Sequence, residues 1–413
     1  MAQTTAGTEP RADLQTAQNR MFSFVTEAMQ QYEKQGRIST LLENAAELDT
    51  LFATVRGQVF DLLHLPVRQR DTWHMGIADS GKRTIELLVN FLCPADENQN
   101  GLLDTENYVG FNKFSAAKVL EIKKGVAFQR PFEVPLGQAL TVNSNGQFAK
   151  CAALFEGNQF RTLWLPWNST STGIRENIAR IVQCRNHAHS SSLIIADAAS
   201  LRLFSRDWAG LDSDQLPDVF FFSLRKQALP YDGPNDEVHQ AKNSGALILF
   251  NDRALAHARS VDAEPLYGCS SLPQLAQGLA AQDEQRANHV RHLLKLNCAL
   301  DAFNAQDPLQ KLDDERETAR QKILSAFSHN GTAPIGGFTL LSDPVAQSDS
   351  AYILKVPKRT TAKEVIATLK AQGILISASM HPKLDGQRHV RFAFYPGNQV
   401  NEVACLLKSI GGM

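Results

Sequence analysis

The sequence predicts an α/β fold in which a mainly parallel sheet is covered by helices and a smaller α+β domain follows. Three short runs, at residues 192–200, 217–224 and 244–250, are continuously apolar, as expected of strands buried on both faces. Segments with apolar residues at helical spacing alternate with such runs. The chain has 413 residues, more than one hydrophobic core usually organises, so two domains are expected.

The chain is expected to begin with a tail and two helices. Residues 1–18 are polar and rich in turn formers, which indicates a loose tail or arm. Residues 19–65 are predicted to be mostly helical, with a second helix at 45–63 that ends before Pro66. In the first helix the apolar residues at helical spacing are Met21, Phe22, Val25, Met29 and Tyr32.

Residues 66–285 are expected to form the large domain. A strand or loop around Trp73 is followed by a predicted helix at 83–92. A predicted strand at 159–167 and a predicted helix at 173–186 precede the three apolar runs.

Residues 286–413 are expected to contain a linking helix and the small C-terminal domain. A long helical region is predicted at 273–327. Beyond it the strand AYILKV, a helix from Thr361, the strands ILISASM and HVRFAFY, and a helix near 401–410 give an α+β pattern.

Charge and composition exclude several classes of partner. The chain has 42 Lys and Arg against 43 Asp and Glu, a formal net charge of −1, so no excess positive field attracts nucleic acid or an anionic membrane. No stretch approaches the roughly 18–20 uninterrupted apolar residues that span a bilayer. The first residues have neither the basic start nor the apolar segment of a secretory signal, so a cytoplasmic location is expected.

The cysteines and histidines indicate neither a metal site nor a disulfide framework. The six cysteines are scattered and include no CxxC pair, which favours reduced thiols. The tightest pair of histidines, His187 and His189, lies in a polar stretch and is not expected to bind a metal.

An acid and an amine follow two of the apolar runs. Asp197 ends the apolar part of SLIIADAAS, and Lys226 follows FFFSL. Taken singly, a turn-capping aspartate and a solvated loop lysine are the ordinary interpretations. Because ligands of open α/β sheets bind beyond the carboxyl ends of the strands, the two side chains are expected to converge on one pocket. Pyridoxal 5′-phosphate needs such a pair: a lysine for the Schiff base and a carboxylate for the pyridine nitrogen.

A phosphate site is expected where residues 80–82 lead directly into a helix. Ser80 offers a hydroxyl, Gly81 an open backbone and Lys82 an ammonium group. The free amides at a helix N-terminus favour a phosphate dianion. A small-residue turn that only caps the helix is the alternative.

Several segments, in the correct order, resemble the class V aminotransferases of fold type I, the group that includes phosphoserine aminotransferase. DSGKRTIELLVNFL is similar to the family's Gly-Ser-Gly-Thr-x-x-x-Glu loop and helix, with Glu86 at the Glu position. PWNSTSTGI resembles its Asn-Glu-Thr-x-x-Gly element, ADAAS carries the Asp, and SLRK is similar to its Ser-x-(His or Gln)-Lys signature. VRFAFYPGNQVNEV resembles the C-terminal segment that contains the substrate-binding arginine. The resemblance runs from about residue 45 to the C-terminus.

The resemblance implies a large domain with a mainly parallel seven-stranded sheet and a site for pyridoxal phosphate. In that site Phe114 would stack on the pyridine ring, and Thr170 would contact the ring hydroxyl. Ser223 and Arg225 would join Lys226 in binding the cofactor, with Arg225 directed at the phosphate. Arg391 would hold the α-carboxylate of the substrate. A helix-core residue is the alternative for the phenylalanine, and an ion pair within the fold is the alternative for Arg391.

The resemblance also implies a homodimer with its active site at the subunit interface. The family's Asn-Thr-Pro phosphate loop, which the other subunit contributes, is replaced here by PLYGCSSLP, so Cys269 and Ser270 are candidate cofactor contacts. The His-Arg pair that helps phosphoserine enzymes bind the substrate phosphate is replaced by TLLENAAELDTLF. His381, Lys383 and Arg388 could bind a phosphate or form a solvated basic loop, so the substrate stays open.

The expected activity is transfer of an amino group between an amino acid and a 2-keto acid through an internal aldimine on Lys226, with Asp197 as the second catalytic residue. A lyase, desulfurase or racemase of the same fold is the alternative, because the same cofactor supports those reactions. Cysteine desulfurases resemble the chain less, since they stack a histidine on the ring. A non-catalytic relative that acts by binding is disfavoured, because both catalytic residues are present.

Overall fold

In the part of the chain that it describes, the computed structural model has thirteen strands. It describes residues 12–15, 22–92, 101–103, 128–129, 152–153, 155–156, 161–205, 208, 211–230, 244–259, 283–305, 309–327, 334–341, 350–379, 384–395, 398 and 400–413. The strands are β1 (Ala12–Asp13), β2 (Trp73–Ala78), β3 (Gly101–Leu103), β4 (Phe128–Gln129), β5 (Thr162–Pro166), β6 (Leu193–Asp197), β7 (Val219–Ser223), β8 (Ala246–Asn251), β9 (Thr339–Leu340), β10 (Ala351–Lys355), β11 (Ile374–Leu375), β12 (Ser377–Ala378) and β13 (His389–Ala393).

The described residues also form ten α-helices. They are α1 (Ser23–Lys34), α2 (Arg37–Glu43), α3 (Ala45–Leu62), α4 (Gly81–Leu92), α5 (Ile178–His187), α6 (Asp252–Arg259), α7 (Asp283–Asn304), α8 (Leu309–Phe327), α9 (Ala362–Ala371) and α10 (Val400–Gly411). No helix in this part of the chain is both long enough and apolar enough to cross a bilayer.

The central sheet has seven strands in the order β2-β8-β7-β6-β5-β3-β4. Neighbours from β7 to β4 pair parallel, whereas β8 pairs antiparallel with both β2 and β7. Six strands therefore run in one direction, which confirms the predicted mainly parallel sheet. The three apolar runs of the sequence are β6, β7 and β8, and every residue of β7 is buried, as expected of a strand covered on both faces.

The buried apolar side chains form two large cores. The larger core includes residues from Val25 to Phe303, so the N-terminal helices and α7 pack with the central sheet. The smaller core joins Leu14 of the N-terminal segment to residues from Ala319 to Ile410. We call the part of the molecule built on this second core the small domain.

The small domain contains a four-stranded antiparallel sheet in the order β12-β13-β10-β9. Strand β1, from the segment expected to be a tail or arm, pairs parallel with β11. The predicted strand ILISASM is therefore split, because β11 pairs with β1 whereas β12 pairs with β13. Helix α9 starts at the predicted place with a capping box between Thr361 and Glu364.

The helix predicted at 173–186 begins later, at Ile178. The preceding residues fold back on the end of β5, where Glu176 N donates a hydrogen bond to Trp167 O at 2.9 Å. Asn177 then caps the helix, its side-chain oxygen accepting from Arg180 N at 3.1 Å. Apolar spacing could not show this boundary, because the turn also buries an isoleucine at helical spacing.

A buried ion pair fixes α5 to the sheet. The carboxylate of Asp218, which is 1% exposed, accepts from the Arg185 guanidinium. It also accepts from Ile194 N at 2.8 Å and from Asn251 Nδ2 at 3.1 Å. The charge is thus compensated and hydrogen-bonded, which a buried charge requires.

Replacing Asp218 by alanine is expected to lower the free energy of unfolding by about 3–5 kcal/mol, because the Arg185 charge would stay buried without its carboxylate. Urea unfolding measures the change. Asp214→Ala, at an exposed position nearby, is the matched control and is expected to change stability by less than about 0.5 kcal/mol. Similar losses of stability in the two variants would contradict the role assigned to the buried Arg185–Asp218 pair.

Candidate active site

Three loops leave the central sheet side by side. Ala78, Ala246 and Ser223 lie in one row across β2, β8 and β7. On β6, Asp197 pairs with Phe221 of β7. Because these strands are in register, the turns after β2, β6 and β7 meet at the carboxyl ends of parallel strands. Ligands of open α/β sheets bind at that edge.

Lys226 lies in a 3₁₀ turn, Leu224–Gln227, directly after β7. The Gln227 side chain fixes the turn to the loop after β6. Its Oε1 accepts from Leu203 N at 2.9 Å, and its Nε2 donates to Leu201 O at 2.7 Å. The lysine therefore projects from a backbone that is held in place, as a positioned catalytic group requires.

The Lys226 amine reaches the loop that Asp197 begins. Its Nζ donates to Ser200 Oγ at 2.9 Å, three residues beyond the carboxylate. Asp197 is half-buried as the last residue of β6, and its Oδ1 accepts from Ala199 N at 2.8 Å. The structure thus brings the two predicted catalytic residues to neighbouring turns.

The turn after β2 leads into α4. Ser80 Oγ accepts from Arg83 N at 3.2 Å and so caps the first turn of the helix. Apart from its chain neighbours and the backbone of its own helix, no described atom lies within 4 Å of the place that a Cβ on Gly81 would take. The amides and the dipole of this helix N-terminus favour an anion. Lys82 belongs to this first turn by its backbone.

Gly245 joins the turns after β2 and β7. Its N donates to Asp79 O at 2.6 Å, and its O accepts from Leu224 N at 3.1 Å. Its φ is +73°, and a Cβ at this position would lie 2.7 Å from the ring of His292. Only glycine meets both conditions without strain.

Gly245→Ala is expected to lower the free energy of unfolding by about 1–3 kcal/mol, because it adds a left-handed alanine and an overlap with the histidine ring. Gly57→Ala is the matched control, since a Cβ there meets no described atom within 4 Å on a regular helix. That control is expected to stabilise the protein by about 0.5–1 kcal/mol. Urea unfolding measures the free energy of unfolding of both variants. A change of the same sign in the two would contradict the role assigned to Gly245.

The loop after β5 connects the site to the small domain. Asn168 Nδ2 donates to Ser200 O and to Ser350 Oγ, both at 3.0 Å. Thr170, predicted to contact the cofactor ring hydroxyl, lies in the same loop, and its O accepts from Arg391 Nε at 2.9 Å. The loop therefore lies between the carboxyl end of β6 and the strand that carries the arginine.

Arg391 enters the site from β13. The residue is 7% exposed, and its Nη1 also donates to Gln15 O at 2.8 Å. Two backbone carbonyls, one from the N-terminal segment and one from the loop after β5, thus orient the guanidinium. The arginine thus lies where the small domain meets the loop after β5.

Tyr395, two residues beyond β13, is buried beside the lysine. Its ring centroid is 5.5 Å from Lys226 Nζ, and its hydroxyl is hydrogen-bonded to Ser200. Burial alone raises the pKa of this phenol, but the hydrogen bond and three nearby cations leave the pKa below its ordinary value of 10. The cations are those of Lys226, Arg391 and Arg225.

Arg225 shares the 3₁₀ turn with the lysine, so the two side chains are not forced to opposite faces as they would be in a strand. Burial lowers the pKa of the Arg225 guanidinium, and the neighbouring Tyr395 partly offsets this shift. Both cations of the turn therefore interact with the same phenol.

Helix α8 contacts both the loop after β6 and the segment that follows β13. Arg202, in the loop after β6, pairs with Asp313 at 2.8 Å and Glu317 at 3.0 Å. Arg316 Nη2 donates to Phe394 O at 2.9 Å, and its guanidinium lies 4.2 Å from the ring of that residue. One helix thus holds both the loop that contains the serine and the segment that contains the tyrosine.

Some predicted site residues lie outside the described residues. They are Phe114, Cys269, Ser270, His381 and Lys383, together with the side chains of Lys82 and Glu86.

Arg388, a candidate for binding a substrate phosphate, bonds to backbone carbonyls of the fold. Its guanidinium donates to four backbone carbonyls at 2.7–3.3 Å. The acceptors are Val356, Pro357, Lys358 and Thr360. These bonds hold the loop between β10 and α9, which favours a structural role for this arginine.

Sequence reasoning missed Ser200 and Tyr395. Both lie in quoted segments, three residues after Asp197 and four after Arg391. Their place in the sequence could have indicated them, because each polar side chain closely follows an apolar strand that carries another candidate residue. Their contact with the lysine depends on how two domains meet, which local pattern does not show.

No protein-family profile and no curated protein matches the chain. Solved structures match it over nearly its whole length. Phosphoserine aminotransferase from Cytophaga hutchinsonii is 14% identical, with 95% of this chain and 96% of that chain covered and a TM-score of 0.64. Pyridoxamine–pyruvate aminotransferase from Mesorhizobium loti is also 14% identical, with 98% and 92% covered and a TM-score of 0.65. The chain has the fold of the class V aminotransferases.

The class V fold also occurs in desulfurases. Cysteine desulfurase from Thermococcus onnurineus is 12% identical, with 95% of this chain and 91% of that chain covered and a TM-score of 0.62. A fold shared by transferases and desulfurases does not choose between their reactions, so the reaction must be argued from the site.

Proposed function

We propose that the chain is a pyridoxal-phosphate-dependent aminotransferase. The observation that carries this proposal is the contact of Lys226 with the loop that Asp197 begins, on a turn that Gly245 joins to the turn before α4. An amine, a carboxylate and a helix N-terminus thus occupy one sheet edge. When bound, pyridoxal phosphate supplies an aldehyde that bonds to amines and a protonated ring that withdraws electrons from the substrate Cα.

The residues at this edge fit that cofactor. The Lys226 amine would bond to the aldehyde, and the Asp197 carboxylate would favour a proton on the ring nitrogen. Ser80 and the amide of Gly81 would hold the phosphate, with Arg225 as a nearby guanidinium. Ser223, Thr170, Lys82, Phe114, Cys269 and Ser270 complete the proposed cofactor-binding set.

The chain's own residues would then perform three tasks. Lys226 would carry a proton to and from the substrate Cα as a general base. Arg391 would bind the substrate α-carboxylate and orient the Cα substituents. The burial of Arg391 and Tyr395 where the small domain meets the sheet edge would limit the access of water.

The proposed substrates are an amino acid and a 2-keto acid. We further propose a cytoplasmic homodimer in which the other subunit contributes Cys269 and Ser270 to the phosphate site. A lyase, desulfurase or racemase is the alternative, because class V structures include cysteine desulfurases.

A panel of amino acids tests the reaction. The purified chain is loaded with pyridoxal phosphate and mixed with each amino acid. Release of a keto acid together with conversion of the cofactor to pyridoxamine phosphate is expected of an aminotransferase. Pyruvate or sulfide release without that conversion would indicate a lyase or desulfurase. A chain that takes up no cofactor would contradict the whole proposal.

A further inference from the structure

Helix α7 contacts three of the segments that lead to the site edge. His289 contacts the turn between β2 and α4. One helical turn further on, the ring of His292 lies against Gly245. Lys295 Nζ donates to Pro230 O at 2.7 Å, shortly after the 3₁₀ turn that follows β7. All three polar side chains of α7 are buried, and buried polar groups are costly unless they are bonded, so their contacts bear on how the site is held.

The contact of His289 is with the carboxylate of Asp79. The Nε2 and Oδ1 atoms are 2.9 Å apart, and the two side chains are 10% and 11% exposed. A carboxylate accepts hydrogen bonds, so Nε2 is the donor. Among the described residues, no group is hydrogen-bonded to Nδ1 of the ring. In this part of the chain the imidazole therefore directs its hydrogen bonding at the aspartate.

Asp79 lies between the end of β2 and the proposed phosphate site. It directly precedes Ser80, which caps α4, and Gly81, where that helix begins. Its backbone O accepts from Gly245 N at 2.6 Å, so the main chain is fixed to the neighbouring turn. A carboxylate so close to a helix N-terminus is ordinarily attracted to it, because the free amides and the helix dipole favour a negative charge.

The same amides are those proposed to hold the cofactor phosphate. A carboxylate that turned towards them would take their hydrogen bonds and repel the dianion. In the structure, Asp79 Oδ1 is bonded to His289 of α7 instead. The helix is capped by the uncharged hydroxyl of Ser80, whose Oγ accepts from Arg83 N at 3.2 Å. The histidine thus holds a competing anion in another bond.

We propose that His289 is a positioning residue that keeps the Asp79 carboxylate away from the N-terminus of α4, which leaves this helix end to the phosphate of the cofactor. It acts through the aspartate and need not touch the cofactor. The inference rests on the proposed binding of pyridoxal phosphate. It adds a residue that makes the site prefer the phosphorylated aldehyde to pyridoxal, the same aldehyde without its phosphate.

The affinities of the full chain for pyridoxal 5′-phosphate and for pyridoxal test the proposal, each measured from the absorbance change of the aldehyde on binding. His289→Leu removes the hydrogen-bond donor and keeps an apolar side chain of similar size. It is expected to raise the Kd of pyridoxal phosphate by about 10- to 100-fold, because the released carboxylate would compete with the phosphate and repel it. The Kd of pyridoxal should stay nearly unchanged. A merely structural role of the histidine would raise both values together.

Two further changes separate competition by the carboxylate from damage to the turn. His289→Gln offers an amide donor and should keep most of the preference for the phosphorylated aldehyde. Asp79→Ala removes the competitor, so alone it should leave the Kd of pyridoxal phosphate nearly unchanged. Added to His289→Leu, it should restore the lost affinity. A double variant that stays weak would overturn the proposal. Should His289→Leu not fold, a loss of affinity for pyridoxal phosphate in Asp79→Ala would by itself overturn it.

His74→Leu is the matched control. His74 lies at the opposite end of β2, and its Nε2 is bonded to Asp252 Oδ1 at 2.7 Å. This change removes a second histidine–aspartate pair from the same strand, away from α4, and should keep the wild-type preference. An equal loss of preference in His74→Leu and His289→Leu would overturn the proposal. A wild-type chain that binds neither aldehyde would refute the proposed function, whereas normal wild-type binding with an unchanged preference in His289→Leu would overturn this inference alone.

Discussion

Replacing Lys226 by alanine is expected to lower kcat by at least about 10³-fold and to abolish covalent attachment of the cofactor. The substitution removes both the amine that bonds to the aldehyde and the base that moves the substrate proton. In the structure, Lys226 Nζ lies at the sheet edge, 2.9 Å from Ser200 Oγ. The other described lysine near this edge, Lys82, lies in the first turn of α4, where it is proposed to contact the phosphate and not the aldehyde.

Two comparisons make this result specific. Lys226→Arg retains the positive charge but not the reactive amine, and it should lose activity to a similar extent. Lys363→Ala, at an exposed position on α9, should leave kcat and cofactor attachment unchanged. If Lys226→Ala kept its activity, a residue other than Lys226 would have to supply the amine and the base.

Arg391→Ala is expected to weaken amino-acid binding by about 2–5 kcal/mol, roughly 30- to 4,000-fold in Kd, because the substrate carboxylate would lose a buried charged partner. Covalent attachment of the cofactor to Lys226 should persist. Titration of the loaded enzyme with a slowly reacting amino acid measures the affinity, and the cofactor absorbance reports the attachment.

The matched control for this variant is Arg388→Ala. That arginine lies three residues earlier and bonds only backbone carbonyls in the contacts described above. Its loss should lower stability through the β10–α9 loop and leave the affinity for amino acids nearly unchanged. Equal losses of affinity in the two variants would indicate that Arg391 acts through the fold and not through the substrate.

The sheet could be predicted from sequence because its signals are local. Continuous apolar runs such as VFFFS identify strands covered on both faces, and β6, β7 and β8 lie where those runs predicted them. The start of α9 was equally visible, since Thr361 and Glu364 form a capping box. The antiparallel direction of β8 could not be predicted, because an apolar run has the same pattern in either direction.

The candidate site was predictable only in part, for a related reason. Asp197 and Lys226 follow apolar runs, so their place at a sheet edge could be argued from the chain alone. Tyr395 reaches the lysine only because β13 belongs to another core that closes on this edge. Likewise, the N-terminal segment reaches Arg391 through Gln15, 376 residues away along the chain. Contacts at such separations leave no local pattern.

The central claim, that Lys226 holds pyridoxal phosphate, has a direct chemical test. The full chain is incubated with the cofactor, reduced with borohydride to fix any carbon–nitrogen double bond, and digested for mass spectrometry. We predict one phosphopyridoxyl group, on the peptide that contains Lys226, with none on that peptide in Lys226→Arg. A modification confined to other lysines, or no stable modification under conditions in which the chain is folded, would contradict the account.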